Sequence, residues 1–387
     1  MAQSNIEQGF PNITHGATQF LHRSTSAMLR GGRITKFKGE AASFSPELGL
    51  VAVGAGRGDA AGGGAGGLTH CLIRRLLRWS VAPIALLAGT SPAFAQDACV
   101  EVTPGQFVCE DNGAPATVQQ EINLIGVDVV VTLEDGFEVD VANYSGGYDG
   151  IDIDGAASVV ITQSGGTSTI VGSRGIDVYD IEGDISITTG GDVTGRDNDG
   201  IYAGNLTSGS VSIDSRAGTV KGGGAGNGIQ AENFGDGDLT ILSANVSTTG
   251  DDGINAKNYG GNLRIDSTAG LVTGAREGID AGNYGTGALT ITARDVTGSS
   301  RDGITATNEG TDLIIDSSAG AVVGGSDGID ARNSGTGALS ITTADVTGSG
   351  DDGIFATNYG TDLIIDSSAG AVVGRSCLGS GRNCLAA

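Results

Sequence analysis

Downstream of residue 95 the chain has no histidine, no tryptophan and no methionine; its three histidines are His15, His22 and His70. Ser-His-Asp and Cys-His nucleophile systems therefore have no place in that region, and most zinc sites lose their usual ligand. Proline is absent after Pro115, so no later strand lacks a ladder donor. Basic residues are scarce as well. Residues 96–387 hold 12 Lys+Arg against 41 Asp+Glu, whereas residues 1–95 hold 9 against 4. A body this acidic excludes nucleic acid and anionic membranes as partners. Carboxylate-pair chemistry needs no histidine, so glycoside hydrolysis stays open on this count.

What the chain has instead is a repeat. Gly-Ile steps begin at Gly150, Gly175, Gly200, Gly228, Gly253, Gly278, Gly303, Gly328 and Gly353, spaced 25 residues apart except for one interval of 28. A fixed repeat of this length implies a stack of like coils, each burying its apolar face against the next. Within one unit, Gly303 to Asn308, Leu313 to Asp316 and Ala321 to Gly324 carry apolar residues two apart, separated by Gly, Ser, Asp and Asn. Period two between turn residues reads as half-buried strands rather than helix. The expected fold is all-β: a parallel β-solenoid of about nine 25-residue coils with three short strands each. At ~4.8 Å per coil such a rod is on the order of 43 Å long.

Equivalent positions line up as columns. Ile254, Ile279, Ile304, Ile329 and Ile354 form one apolar column; Leu263, Leu289, Leu313, Leu339 and Leu363 form another, and Val272, Val296, Val322, Val346 and Val372 a third. Asn205, Asn233, Asn258, Asn283, Asn308, Asn333 and Asn358 form a polar column at the end of the first strand. Stacked amides there are expected to hydrogen-bond from coil to coil as a structural ladder. A period of 50 lies on top, because Asp266, Asp316 and Asp366 alternate with Thr292 and Thr342. Alternation doubles the distance between like charges. Gly222 to Gly228, where the long interval falls, reads as a local bulge rather than a phosphate loop.

Two columns invite a functional reading. Asp252, Glu277, Asp302, Asp327 and Asp352 recur just before the Gly-Ile step. They read either as a solvated acidic turn or as hard oxygen ligands for a cation such as Ca²⁺; the nonapeptide spacing of calcium-binding β-rolls is absent. Phe234, Tyr259, Tyr284 and Tyr359 follow the asparagines, with Glu309 and Ser334 interrupting the stripe. Such rings stack on sugar faces or a partner protein, or else pack on neighbouring coils. The acids are spread evenly over the repeats, whereas a catalytic pair breaks the pattern locally. Only Asp149-Gly150-Ile151-Asp152-Ile153-Asp154 departs from it, either as a catalytic candidate or as a degenerate first coil.

The start of the chain carries export signals. Arg74, Arg75 and Arg78 precede the apolar run Val81 to Ala88, and Ala93-Phe94-Ala95 offers a cleavage site between Ala95 and Gln96. Residues 68–95 thus read as a signal peptide, with 1–67 a disordered or mis-assigned upstream segment. Cys99 and Cys109 flank Thr103-Pro104-Gly105. A three-residue loop there sets the two cysteines opposite each other, and export favours a disulfide between them. The segment 96–148 then reads as an N-terminal cap with the disulfide hairpin and a degenerate coil, ahead of the solenoid proper, 149–376, and 377–387 is a tail out of register.

The leader ending Ala93-Phe94-Ala95, the Cys99–Cys109 hairpin and coils such as Gly278–Asn283 with Gly287–Thr292 resemble the passenger region of a bacterial autotransporter (type V secretion). The resemblance covers roughly residues 70–376. It implies a right-handed β-helix, exported to the cell surface and engaged in adhesion to a host or cell-surface protein or glycan. It also implies a C-terminal outer-membrane barrel in the complete protein. No succession of barrel strands follows here. A Gly-Ile step is due at 378–379, but the chain reads Cys377-Leu378-Gly379 and ends a few residues later; truncation or a frameshift within a longer gene is the expectation. No enzyme activity is expected, and no cofactor other than Ca²⁺. The alternatives are a carbohydrate-acting β-helix enzyme of the pectin-lyase type and a non-functional fragment of a larger autotransporter.

Overall fold

The computed structural model describes residues 98–141, 147–163 and 167–375. The expectations for the leader, the Ala95/Gln96 cleavage site, segment 1–67 and tail 377–387 lie outside the described residues. Among the described residues the chain is all-β, and parallel strands stack into a solenoid of ten turns. The strands of the Gly-Ile steps form one ten-stranded parallel sheet, which runs from Gln120–Asn123 to Ile354–Asn358 without a break in order. The other two faces share an 18-stranded sheet, because the corner between them is continuous in several coils, as in Leu263–Gly274.

There is one coil more than there are Gly-Ile steps. It consists of β3 (Gln120–Asn123), β4 (Asp128–Leu133) and β5 (Glu138–Asp140). Gln120 stands opposite Ile151, so the step that marks every later coil is missing from this one. Before it lie β1 (Ala98–Thr103) and β2 (Gln106–Glu110), an antiparallel hairpin in which Cys99 pairs with Cys109 and a disulfide joins them. Its turn is two residues, Pro104 and Gly105, not three, and a register shift between Glu101 and Thr103 absorbs the difference. Gly105 has φ +78°, which suits glycine after proline in a type II turn. β2 adds in parallel to β4, and the Ala116 amide donates to the Glu138 carbonyl at 2.8 Å. The hairpin thereby covers the start of the core at Val129, Val131 and Leu133, all fully buried.

The columns stack as sequence periodicity implies. Ile304 stands opposite Ile329, Ala306 opposite Ala331 and Leu313 opposite Leu339, and each of these side chains is fully buried. The glycine of the step has a steric reason. A Cβ on Gly303 would lie 2.6 Å from both the Gly328 carbonyl oxygen and Val322 Cγ1, so the coil above and the third strand close on that position together.

The 50-residue period has a structural cause. Coils of equal length close their corners differently and alternate. One type places Leu263 nine residues after Ile254 and Val272 nine after that; the next places Leu289 ten after Ile279 and Val296 seven further on. The 28-residue coil spaces Ile201, Val211, Val220 and Ile229 by 10, 9 and 9 residues, so its third corner, which holds Gly222–Gly228, is longer than in either of the other coil types.

Candidate functional site

The acidic column is mostly buried, not a solvated turn. Asp252, Glu277 and Asp352 are 3%, 7% and 8% exposed, while Asp302 and Asp327 are half-buried. Asp252, Asp302 and Asp327 each face the coil above and accept a main-chain N–H from it. Glu277 N donates to Asp252 Oδ1 at 3.1 Å, Asp327 N to Asp302 Oδ1 at 2.9 Å and Asp352 N to Asp327 Oδ1 at 2.7 Å. Asp149, Asp199 and Asn227 do the same for Arg174, Asn227 and Asp252. Other corners repeat the device. Ala338 N donates to Asp312 Oδ1, and Ala371 N to Asp345 Oδ1. A short side chain with an acceptor oxygen caps an amide that the turn leaves without a ladder partner, which accounts for much of the chain's acidity.

Stacking carboxylates brings charge together. In four groups (Asp149/Asp152/Asp177, Asp251/Asp252/Glu277, Asp302/Asp327/Asp330 and Asp327/Asp351/Asp352) the oxygens lie within 4.8 Å of one another. Burial, with the Asp177 and Asp152 charges nearby, pushes the Asp149 carboxyl up to about 7. Burial and the adjoining Asp252 likewise push Glu277 up to about 7. Asp327 rises to about 6 through burial and the Asp302, Asp351 and Asp330 charges. These groups gain from either a proton or a counter-charge.

Arginines supply that charge at three of the groups. Arg174 pairs with Asp177 at 2.8 Å and with Asp199 at 3.3 Å. Arg276 pairs with Asp251 at 2.6 Å, and Arg301 with Glu277 at 3.3 Å. Ca²⁺ takes about six to eight oxygens, whereas many Oδ1 atoms of the column are already engaged by amides. The residues that fit a hard cation best are thus Asp302, Asp327, Asp330, Asp351 and Asp352, where Arg332 on Asp330 is the guanidinium present among the described residues. Asp252 and Glu277 fit less well, because Arg276 and Arg301 stand beside them.

The asparagines form a directional ladder. Asn233 Nδ2 donates to Asn258 Oδ1 at 2.7 Å, and the same bond links Asn258 to Asn283, Asn283 to Asn308, Asn308 to Asn333 and Asn333 to Asn358 at 2.9–3.1 Å. Each amide also donates to its own turn, as Asn283 does to the Gly287 carbonyl at 3.0 Å. Asn205 differs. Its Nδ2 donates to the Ser208 carbonyl at 2.9 Å rather than to Asn233, and its Oδ1 accepts the Phe234 and Gly235 amides. One coil earlier the slot is filled by Ile181, which stands opposite Asn205 because Asp180 bulges out at φ 60°.

The aromatic column divides. Phe234 and Tyr259 stack with centroids 4.9 Å apart, and Tyr259 and Tyr284 at 5.2 Å. Tyr259 is stacked on both faces, Phe234 and Tyr284 on one each. Tyr359 stands alone, 76% exposed. A second aromatic group, which the repeat does not announce, sits near the other end. Tyr202 is buried against Tyr179 at 5.7 Å, carries Arg174 over its ring at 4.8 Å, and donates its hydroxyl to Glu232 at 3.2 Å. The catalytic candidates Asp149 and Asp152 lie buried beneath this group, 3% and 4% exposed, with Gln119 donating to Asp152 at 2.5 Å. Arg174, where later coils carry an acid or Asn, was the available sequence signal for it.

By fold and surface the chain is a β-solenoid rod with structured acidic corners. No family model matches the sequence, and no curated protein and no solved structure matches it. No helix among the described residues is long and apolar enough to cross a membrane, which says nothing of a β-barrel.

Proposed function

We propose that the chain is an exported structural and adhesive rod of the autotransporter-passenger kind, presented at a cell surface to a host or cell-surface protein or glycan. The observation that carries this reading is the unbroken stacking order of ten coils, whose side-chain ladders hold a stiff body while polar and aromatic ridges run along its outside. A disulfide in the cap suits a chain that matures outside the reducing cytosol. Expression of the full chain in a Gram-negative host, followed by N-terminal sequencing of the exported product, tests it. A product that begins at Gln96 and carries the Cys99–Cys109 bridge supports the reading; a chain retained in the cytosol with its N-terminus intact ends it.

One observation favours the second reading, a carbohydrate-acting β-helix enzyme. Asp149, raised to about 7, lies beside Asp152 and Asp177, and a pair of neighbouring carboxyl groups is the machinery of most glycosidases. Incubation with polygalacturonate and related glycans, with and without Ca²⁺, should release no reducing or unsaturated ends if the rod reading holds.

A further inference from the structure

The aromatic column contains a gap, and the gap has the make-up of a binding site. The main chain is the same at every coil along this corner. Tyr284, Glu309, Ser334 and Tyr359 each donate their amide to the asparagine carbonyl one coil back, at 2.7–2.9 Å. Asn283, Asn308, Asn333 and Asn358 stand directly opposite one another. Four residues in one column thus carry ring, carboxylate, hydroxyl and ring. Tyr284 gives one face to Tyr259 and ends that stack, its ring folded over Gly282. Tyr359, 76% exposed, has its ring free. Three coil steps of ~4.8 Å put these rings roughly 14 Å apart, and only Glu309 and Ser334, both exposed, stand between them. That is room for two flat groups stacked one on each ring.

We propose that this gap binds arginine side chains of a basic polypeptide. Charge selects the occupant. The corner segments 283–289, 308–313, 333–339 and 358–363 contain no lysine or arginine, but they carry Glu309, Asp312 and Asp362. The region from residue 96 onward holds 41 acids against 12 bases, so a cationic partner is drawn to it over long range. A guanidinium is flat, stacks on a tyrosine face, and pairs with a carboxylate in the same plane. The chain itself uses this arrangement twice. Arg174 lies over Tyr202 while paired with Asp177 and Asp199. Arg332 lies 5.5 Å from the Phe355 centroid while paired with Asp330. At the gap the ring and the acid are present, and Arg332, two residues before Ser334, is already engaged by Asp330 and the Phe355 ring. The inference goes beyond the display reading and holds in solution whether or not the rod is exported.

Isothermal titration of the full chain with tetra-arginine, tetra-lysine and the uncharged sugar chitotetraose tests it. Tetra-arginine should bind, and more tightly than tetra-lysine, with affinity falling as salt rises. Tyr284→Ala, Tyr359→Ala and Glu309→Gln should each weaken it about two- to five-fold. All three sites are at least partly exposed, and circular dichroism should report an unchanged sheet. Ser334→Tyr, which fills the gap on a backbone that already carries tyrosine elsewhere, should abolish the preference for arginine. Two results would overturn the proposal: tetra-arginine binding that ignores all four variants, which is mere polyanion attraction, or binding of chitotetraose in place of the peptide.

Discussion

At the scale of single residues, the polar ladders separate side chains that look alike in sequence. Asn308 accepts from Asn283 at 3.1 Å, donates to Asn333 at 2.9 Å and donates to the Thr311 carbonyl at 3.1 Å. Asn308→Ala leaves one Asn283 N–H without an acceptor inside a dry stack, while Asn333 Oδ1 and the Thr311 carbonyl each lose one bond and keep the Gly335 and Gly337 amides. An unpaired buried donor costs about 1–3 kcal/mol, so the urea midpoint should fall clearly. Asn358→Ala should cost much less, since that residue is only half-buried. Equal effects at the two sites would show that the ladder is not a chain of buried bonds. Asp252 behaves differently. Its Oδ1 accepts the Glu277 amide, and Asn227 performs the same task for Asp252 with an uncharged side chain. Asp252→Asn therefore keeps the cap and removes a charge that raises Glu277. Thermal melting at pH 8 should show a neutral or stabilising change, and a loss of more than about 1 kcal/mol would mean that the charge itself is required.

At the scale of strands and coils, the repeat was legible because identical environments force identical residues. The Gly-Ile step, the Leu-x-Ile strand and the Val-x-Gly strand each repeat a burial pattern that a single coil would leave ambiguous. The first coil shows in sequence only as a degenerate one, because Gln120 replaces the isoleucine. Two things escaped the repeat altogether. Burial of the acids hides because a carboxylate at a turn normally meets water, and only the closed corner shows that it meets an amide one coil away. The two coil types share one length, so their different corners cancel in any count of residues between glycines. The cap makes a prediction of its own. Each coil touches only its neighbours, so loosening the hairpin should act locally. Reduction of Cys99–Cys109, or Cys99→Ser, removes a short cross-link worth about 2–3 kcal/mol. Hydrogen exchange should rise in β2 and β4 while Ile304–Asn308, seven coils on, stays protected. Uniform loss of protection would mean that the rod melts as one unit.

At the scale of the whole rod, acidity is both the adhesive of the corners and a burden along the axis, and pH should separate the two. Asp149 and Glu277 are raised to about 7, and Asp327 to about 6. The folded chain therefore holds protons on these groups that the unfolded chain releases above its ordinary carboxylate range. The stability they contribute is fully present below ~4 and is lost as pH climbs through 6 and 7. Asp214, Asp266 and Asp366 work the other way. Hydrogen bonds from Arg216 hold Asp214 below its ordinary range, Thr268 and Arg264 do so for Asp266 against its partial burial, and Ser368 does so for Asp366. Their contribution is present above the usual carboxylate range and disappears as pH falls through their lowered values. The two sets together place maximum stability at roughly pH 4–6, below neutrality. The melting temperature should accordingly be several degrees higher at pH 5.5 than at pH 8. General repulsion among the surface acids predicts the same direction, but 0.5 M NaCl screens exposed charges far more than buried ones. If the clustered carboxylates are responsible, most of the difference survives in high salt, and Asp149→Asn narrows it. A difference that salt erases would assign the effect to net charge and leave the buried column without a role in the rod's response to acid.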